Sequence, residues 1–548
     1  MNKTFRAPTM AQNGAITAPH YLASQAGMKV LQNGGNAVEA MIAAASTIAV
    51  VYPHMNSIGG DNFWLIYNAR TKEITALNSS GRSGENATIA FYKEKGFNLK
   101  IPARGYLSAN TVPGAIAGWN EAFNFSKQEM AGNYAWGELL EQAIAYAKDG
   151  FPVTSSQAYW TNVNLNEEDY EFRNLQRFDE FCKVFLKQYG LCYNPGDIMK
   201  QPDLALTLEG IAKGGSKFFY QGELAARMVA DLQENGGVLT KQDFQSHISD
   251  WIDPISVDYR GFTAYNLPPN TQGMASLSIL NILNQFEIGA IEEGSSTYYH
   301  LLVEATKQAF RDRDKWLTDP KFANIPVEAL LSKERGLELA EQIQFDSVYG
   351  LEKQLDPKGD TVWMGVVDKE GNAVSFIQSI YHDFGSGIIP KGTGVLLQNR
   401  GSYFSLDAAN INCLQPKKRT FHTLNPAMLF KNQQPYLVYG TMGGEGQPQT
   451  QAALVTRIID YGYDVQQAIE APRWLYGRTW GASSNSLKIE GRIPSKITTR
   501  LAELGHPVEM VDDFNDIMGH AGAIFVNPTT NVKWAGADPR GDGAALGY

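Results

Sequence analysis

Cysteine is scarce, with three residues in 548: Cys182, Cys192 and Cys413. Three thiols cannot complete a disulfide framework. Cys182 and Cys192 could pair in an oxidising compartment, but free, buried thiols are the expected state. Histidine is also sparse at eight residues, with no His-x-x-x-His or Cys-x-x-Cys spacing, so neither a metal nor a cofactor is expected. Long hydrophobic runs are missing: Ala40 to Val51, the longest, is about half of what spans a bilayer. Lys3 and Arg6 have no apolar stretch behind them, unlike a secretory leader. A cytoplasmic protein with no membrane partner is expected. Positive charge is in deficit, 47 basic against 57 acidic residues for a net charge of -10, which argues against nucleic acid as a partner. The chain has no Gly-x4-Gly-Lys-Ser/Thr loop and no Gly-x-Ser-x-Gly elbow, so P-loop nucleotide binding and elbow-type serine catalysis are unsupported.

What is present is an ordinary globular balance, 43% apolar and 19% charged, with length for a large core. Asn36 and Glu39 have the spacing of a helix cap and its capping-box partner, so the apolar run reads as a buried helix ended by Tyr52-Pro53. Ile58-Gly59-Gly60-Asp61 is a turn into a strand, Phe63 to Tyr67. Helical periodicity dominates from Trp136 to Leu339, for example in Leu139 to Ala147 and Tyr298 to Phe310, interrupted by the Pro268-Pro269-Asn270-Thr271-Gln272-Gly273 loop. After Thr361 the texture changes to short strands. Val362 to Val367 and Ala373 to Ile380 flank an Asp-Lys-Glu-Gly-Asn turn, and Ala427 to Phe430 and Tyr436 to Gly440 flank another. A helix is expected from about Gln449 to Tyr461. Strands and helices in both halves suggest layered α/β or α+β packing.

Three features carry chemistry. Thr361 opens a strand just after Asp356-Pro357-Lys358-Gly359-Asp360. If the bond before it were cut, one residue would hold a hydroxyl nucleophile and its own amine as base. Gly443-Gly444, before a helix, would let backbone N–H groups approach an oxyanion. Arg82, in a loop of small residues, could clamp a carboxylate with its planar fork. Each has a plainer reading as an edge-strand threonine, a turn and a solvated arginine.

Taken in order, these segments resemble the gamma-glutamyltranspeptidase (glutathione hydrolase) family nearly end to end. Gly34-Gly35-Asn36-Ala37-Val38-Glu39-Ala40, Ile58-Gly59-Gly60, Val112-Pro113-Gly114 and Pro268-Pro269 resemble its large-subunit signatures. Asp360-Thr361 to Asp368, Gly371 to Ser375, Phe384 to Gly387, Gly443-Gly444 and Asp538 to Ala544 resemble those of its small subunit. The resemblance implies the α+β, four-layer αββα sandwich of N-terminal-nucleophile hydrolases. It also implies a proenzyme cut between Asp360 and Thr361 into a large subunit, residues 1–360, and a small one, residues 361–548, with a dimer of such pairs as one form. Thr361 would be the nucleophile, Ser379 an assisting hydroxyl, Gly443 and Gly444 the oxyanion hole, and Arg82 the carboxylate-binding arginine.

The departures from the family pattern bear on substrate. Where gamma-glutamyl enzymes hold an alpha-ammonium with Asn, Gln or Glu, and Asp, this chain has Tyr381, Arg400 and Tyr403. Where they bind the alpha-carboxylate with paired serines, it has His422 and Thr423. A smaller, less cationic acid is expected, its anionic groups held by Arg82, Arg400 and His422. The Asp360-Thr361-Val362-Trp363-Met364-Gly365, Gln398 to Gly401 and His422 to Pro426 segments resemble the oxamate-hydrolysing branch of the family. That implies an amidohydrolase converting oxamate to oxalate and ammonia. The alternatives are a gamma-glutamyl hydrolase or transferase acting on glutathione-like amides, a cephalosporin (glutaryl) acylase-like enzyme, and a non-catalytic binding protein for small acids.

Overall fold

The computed structural model describes residue 4 and residues 6–350, 360–477 and 484–548. Its centre is two seven-stranded sheets. In the sheet carrying Thr361 the strand order is Ala544–Gly547, Ala15–Ala18, Asp360–Val367, Ala373–Tyr381, Asp61–Asn68, Glu73–Ser79 and Asp250–Ile252. In the sheet leading into Gly443 it is Thr9–Ala11, Lys533–Ala537, Ala521–Val526, Gln434–Thr441, Ala427–Lys431, Phe262–Asn266 and Ile255–Tyr259. Every pairing within these sheets is antiparallel. Each sheet takes strands from both sides of Thr361.

Side-chain alternation along the strands explains the layering. Trp363 and Val367 join Phe63, Leu65, Met428, Phe430, Val438 and Ile524 in the core between the sheets. Their neighbours Val362, Met364, Val366, Trp64 and Ile66 pack outward against helices of the first half. Ala427, Leu429, Leu437 and Tyr439 of the other sheet pack outward against helices Gly273–Leu283, Ser296–Trp316 and Gly446–Ile459. Both faces of both sheets are thus apolar and covered, which is the αββα sandwich.

The helix Ala37–Val51 is buried throughout. Asn36 Oδ1 accepts from the N–H groups of Val38 and Glu39 at 3.1 and 3.0 Å, and Glu39 accepts from Asn36 N at 3.0 Å. This reciprocal cap contributes about 1 kcal/mol. Asp368, at the turn after the Thr361 strand, accepts from Ala37 N at 2.9 Å and so ties the hairpin to the helix.

Between the sheets the Trp363 indole lies where three glycines leave room. A Cβ on Gly440 would come within 2.3 Å of it, one on Gly522 within 2.5 Å, and one on Gly365 within 2.8 Å.

Two sequence expectations need correction. The stretch from Trp136 to Leu339 is not uniformly helical, because Asp250–Ile252, Ile255–Tyr259 and Phe262–Asn266 are strands that complete the edges of both sheets. All three cysteines are free, but only Cys413 is buried; Cys182 and Cys192 are partly exposed. Among the described residues, no helix is long and apolar enough to cross a membrane.

Candidate active site

Thr361 is fully buried, and its Oγ1 has no hydrogen-bond partner among the described residues. It sits at an irregularity in the strand pairing, where Asp360 is opposite Tyr381 but Val362 is opposite Gln378. Asp360 is described as the first residue of this strand, its side chain and residues 351–359 lying outside the described residues. Ser379, on the adjacent strand, is buried, and its Oγ accepts from Tyr381 N at 2.8 Å.

The Gly443-Gly444 turn joins strand Gln434–Thr441 to helix Gly446–Ile459. Gly443 has φ +120° and Gly444 φ +50°, values that favour glycine. Gly446 N donates to Gly443 O at 2.7 Å. In a planar trans peptide this turns the Gly444 N–H the opposite way. Among the described residues that N–H has no acceptor.

Arg400 is 1% exposed and lies in a short helical turn, Arg400–Tyr403. Its Nη1 donates to Thr423 Oγ1 at 3.3 Å, while Nε and Nη2 have no hydrogen-bond partner among the described residues. The guanidinium carbon sits 4.0 Å over the Tyr381 ring. Tyr381 has φ +84° and leads the chain away from the strand end; its ring is 6.0 Å from that of Tyr403, which stacks on Phe421. Burial lowers the Arg400 pKa to about 10, opposed by Tyr381, Asp61 and Tyr403. Burial also raises the Tyr403 hydroxyl well above its ordinary range, with Tyr381 adding to the effect.

Asp61 and His422 back this pocket. Asp61 Oδ1 accepts from Gly81 N, Gly114 N and Gln398 Nε2 at 2.9, 3.1 and 3.0 Å. Burial raises its pKa to about 6, although these bonds and the Arg400 charge hold it down. His422 Nδ1 accepts from Leu424 N at 3.3 Å, which leaves the proton on Nε2, 3.4 Å from Asp61 Oδ2. Burial, then the charges of Arg400 and Arg419, push its pKa well below the ordinary value. His422 is therefore a neutral imidazole whose Nε2–H faces Asp61, so any hold on an anion would be through a hydrogen bond and not a charge.

Arg82, next to the Gly81 that bonds Asp61, already has protein partners. Its Nη2 pairs with Asp250 at 2.7 Å and its Nη1 donates to Ile248 O at 3.2 Å. Asp250 also receives Arg419. The Asp250–Ile252 strand is the sheet edge, four strands across from Asp360–Val367.

Three site residues were missed in the sequence. Asp61 ended a recognised turn, and Gln272 lay in a recognised loop, but neither position announces its partners. Gln272 Nε2 donates to Thr423 O at 2.8 Å and to Gly444 O at 2.7 Å. Arg313, buried on helix Ser296–Trp316, pairs with Glu445 at 2.8 Å.

Elsewhere, His300, Glu304 and His506 are buried, with ligand-type atoms within 4.8 Å of one another. Lys307 Nζ lies 2.7 Å from Glu304 and the two imidazoles meet at 2.8 Å, while His506 Nδ1 has no hydrogen-bond partner among the described residues.

Comparison with known proteins is consistent along the chain. Residues 23–548 match the family model described as Gamma-glutamyltranspeptidase. The chain is 46% identical to the glutathione hydrolase-like YwrD proenzyme of Bacillus subtilis, over 97% of this chain and 98% of that one. It is 45% identical to the oxamate amidohydrolase proenzyme of Klebsiella pneumoniae, over 98% and 99%. Among solved structures it is similar to the cephalosporin acylase of Bacillus halodurans, with a TM-score of 0.90 and 36% identity over 100% of this chain and 98% of that one.

Proposed function

Because the chain belongs to the gamma-glutamyltranspeptidase family of N-terminal-nucleophile amidohydrolases, we propose that it cuts itself before Thr361 and then hydrolyses the amide of a small carboxylate-bearing substrate, with oxamate the leading candidate. The observation that carries this reading is buried Arg400, whose Nε and Nη2 have no partner among the described residues. A buried guanidinium with open donors suits a carboxylate, whereas an alpha-ammonium would be repelled.

In the reaction, the amine released on Thr361 has a reference pKa of about 8 and accepts the hydroxyl proton. Thr361 Oγ1 attacks the amide carbon, and the new oxyanion is met by the backbone N–H groups of Gly443 and Gly444. Collapse breaks the C–N bond, with the Thr361 ammonium protonating the leaving nitrogen, so ammonia departs. Water then adds to the oxalyl ester, and C–O cleavage returns the threonine and releases oxalate. In self-cleavage the Thr361 nitrogen is still an amide and cannot be the base. Oγ1 attacks the Asp360 carbonyl, and its proton passes through water to the departing Thr361 nitrogen as the C–N bond breaks. Water then hydrolyses the Asp360 ester, which frees the amine and the hydroxyl. Since residues 1–360 and 361–548 share both sheets, the two products stay together.

One observation favours a gamma-glutamyl substrate instead: the Asp61 carboxylate lies within electrostatic reach of Arg400 and could face an ammonium. Its Oδ1 already accepts three hydrogen bonds, which weighs against that role. The test is ammonia release from oxamate beside glutamate release from glutathione, with Thr361→Ala as control. Oxamate turnover alone supports the proposal; glutathione turnover alone rejects oxamate. Thr361→Ala should stay a single 60.4 kDa chain, and two bands from it would exclude Thr361 as the processing nucleophile.

A further inference from the structure

Two flexible glycines form the turn that would receive the oxyanion, so something outside the turn must hold it. The Gly443 carbonyl is held from within, by Gly446 N at 2.7 Å. The Gly444 carbonyl receives Gln447 N only at a long 3.3 Å and has its short bond, 2.7 Å, from Gln272 Nε2. Gln272 is fully buried. Its amide orientation follows from its neighbours: Oε1 faces Arg313 Nη1, which can only donate, at 3.4 Å, and Nε2 faces two carbonyls, which can only accept. Arg313 is in turn fixed by Glu445 and Asp314.

We propose that Gln272 is a positioning residue for catalysis at Thr361: its amide clasps the Gly444 carbonyl and keeps the Gly443-Gly444 turn open toward the reacting oxygen. The inference rests on the function proposed above. The clasp crosses the cleavage point, since Gln272 and Arg313 precede Thr361 and Gly444 and Glu445 follow it. Its loss falls on the turn more than on the acid pocket. Thr423 O keeps a second donor, Asn425 Nδ2 at 2.9 Å, and Arg400 meets the Thr423 hydroxyl rather than its carbonyl.

The test compares Gln272→Glu and Gln272→Met, full-length and allowed to process. Each is assayed on whichever amide the wild type hydrolyses, so a wrong choice of substrate leaves the comparison intact. Where cleavage itself is slow, its rate constant replaces kcat. Both variants should lose about 10–100-fold in kcat at neutral pH, with KM changed by less than about threefold. In Gln272→Glu the loss should shrink as pH falls, because a protonated carboxyl regains one donor toward Gly444 O. Gln272→Met has no such route and should stay low. Wild-type kcat in either variant, a pH-independent loss equal in both, or a change confined to KM would overturn the proposal.

Discussion

Arg400 and Arg540 are both fully enclosed, yet the protein treats them differently. Arg540 donates to both oxygens of Glu490 at 2.6 and 2.8 Å, to Asp538 at 3.0 Å and to the carbonyls of Ile469 and Ala471. Its burial is more than offset by Asp538 and Glu490, and its pKa rises. Arg400 has one side-chain bond, to Thr423, and burial dominates. A buried cation completed by the fold is part of the scaffold, whereas one left incomplete is poised for an anion from outside.

Two substitutions can break this contrast. Arg540→Met removes the partner that Asp538 and Glu490 share, leaving Asp538 with Arg473 and Glu490 with Arg492, and should cost about 3 kcal/mol of stability, read by denaturant unfolding of the processed protein. Arg400→Met should leave unfolding nearly unchanged but lower kcat/KM for oxamate by about 10²–10³, the equivalent of about 3–4 kcal/mol. The contrast fails if the two effects exchange places.

Acid offers a perturbation that bypasses Arg400. Burial lowers the His20 and His54 pKa values to about 3 from an ordinary 6.5. The unfolded chain binds those protons first, so the stability from keeping the rings neutral is complete above about 6.5 and is lost as pH falls toward 3. Each histidine should contribute a slope of about 1.4 kcal/mol per pH unit within that window. Unfolding free energies at pH 7, 5.5 and 4.5 check it; a flat response would mean that the rings are hydrated. The smallest effect is expected from Arg82→Lys. With Arg82 paired to Asp250 at the sheet edge, KM for oxamate should change less than about twofold, and a large rise would return Arg82 to the substrate.

The sequence disclosed what is local. The Asn36–Glu39 cap and the hairpins on either side of Gly371 and Asn432 were legible because spacing and turn chemistry act over a few residues. The layered sandwich, and the role proposed for Thr361, came from ordered motifs resembling a family. The short edge strands near Asp250 were hidden because three to five residues carry too little alternation to stand out among helices. Gln272, Arg313 and Asp61 escaped for another reason: their partners are set by tertiary packing across 20 to 172 positions of chain. Arg82 was recognised as an arginine suited to a carboxylate, but nothing local marked Asp250 as the carboxylate in contact.

The bed of glycine beneath Trp363 makes the separation of the two sheets depend on four positions in three strands. A single methyl at Gly440 or Gly522 would strike the indole at 2.3 or 2.5 Å and wedge the layers apart two residues along the strand from Thr361. A variant with more room between the sheets is therefore not one substitution away. The ring must shrink before the facing glycines can grow, so the order in which changes accumulate decides which sequences can be reached.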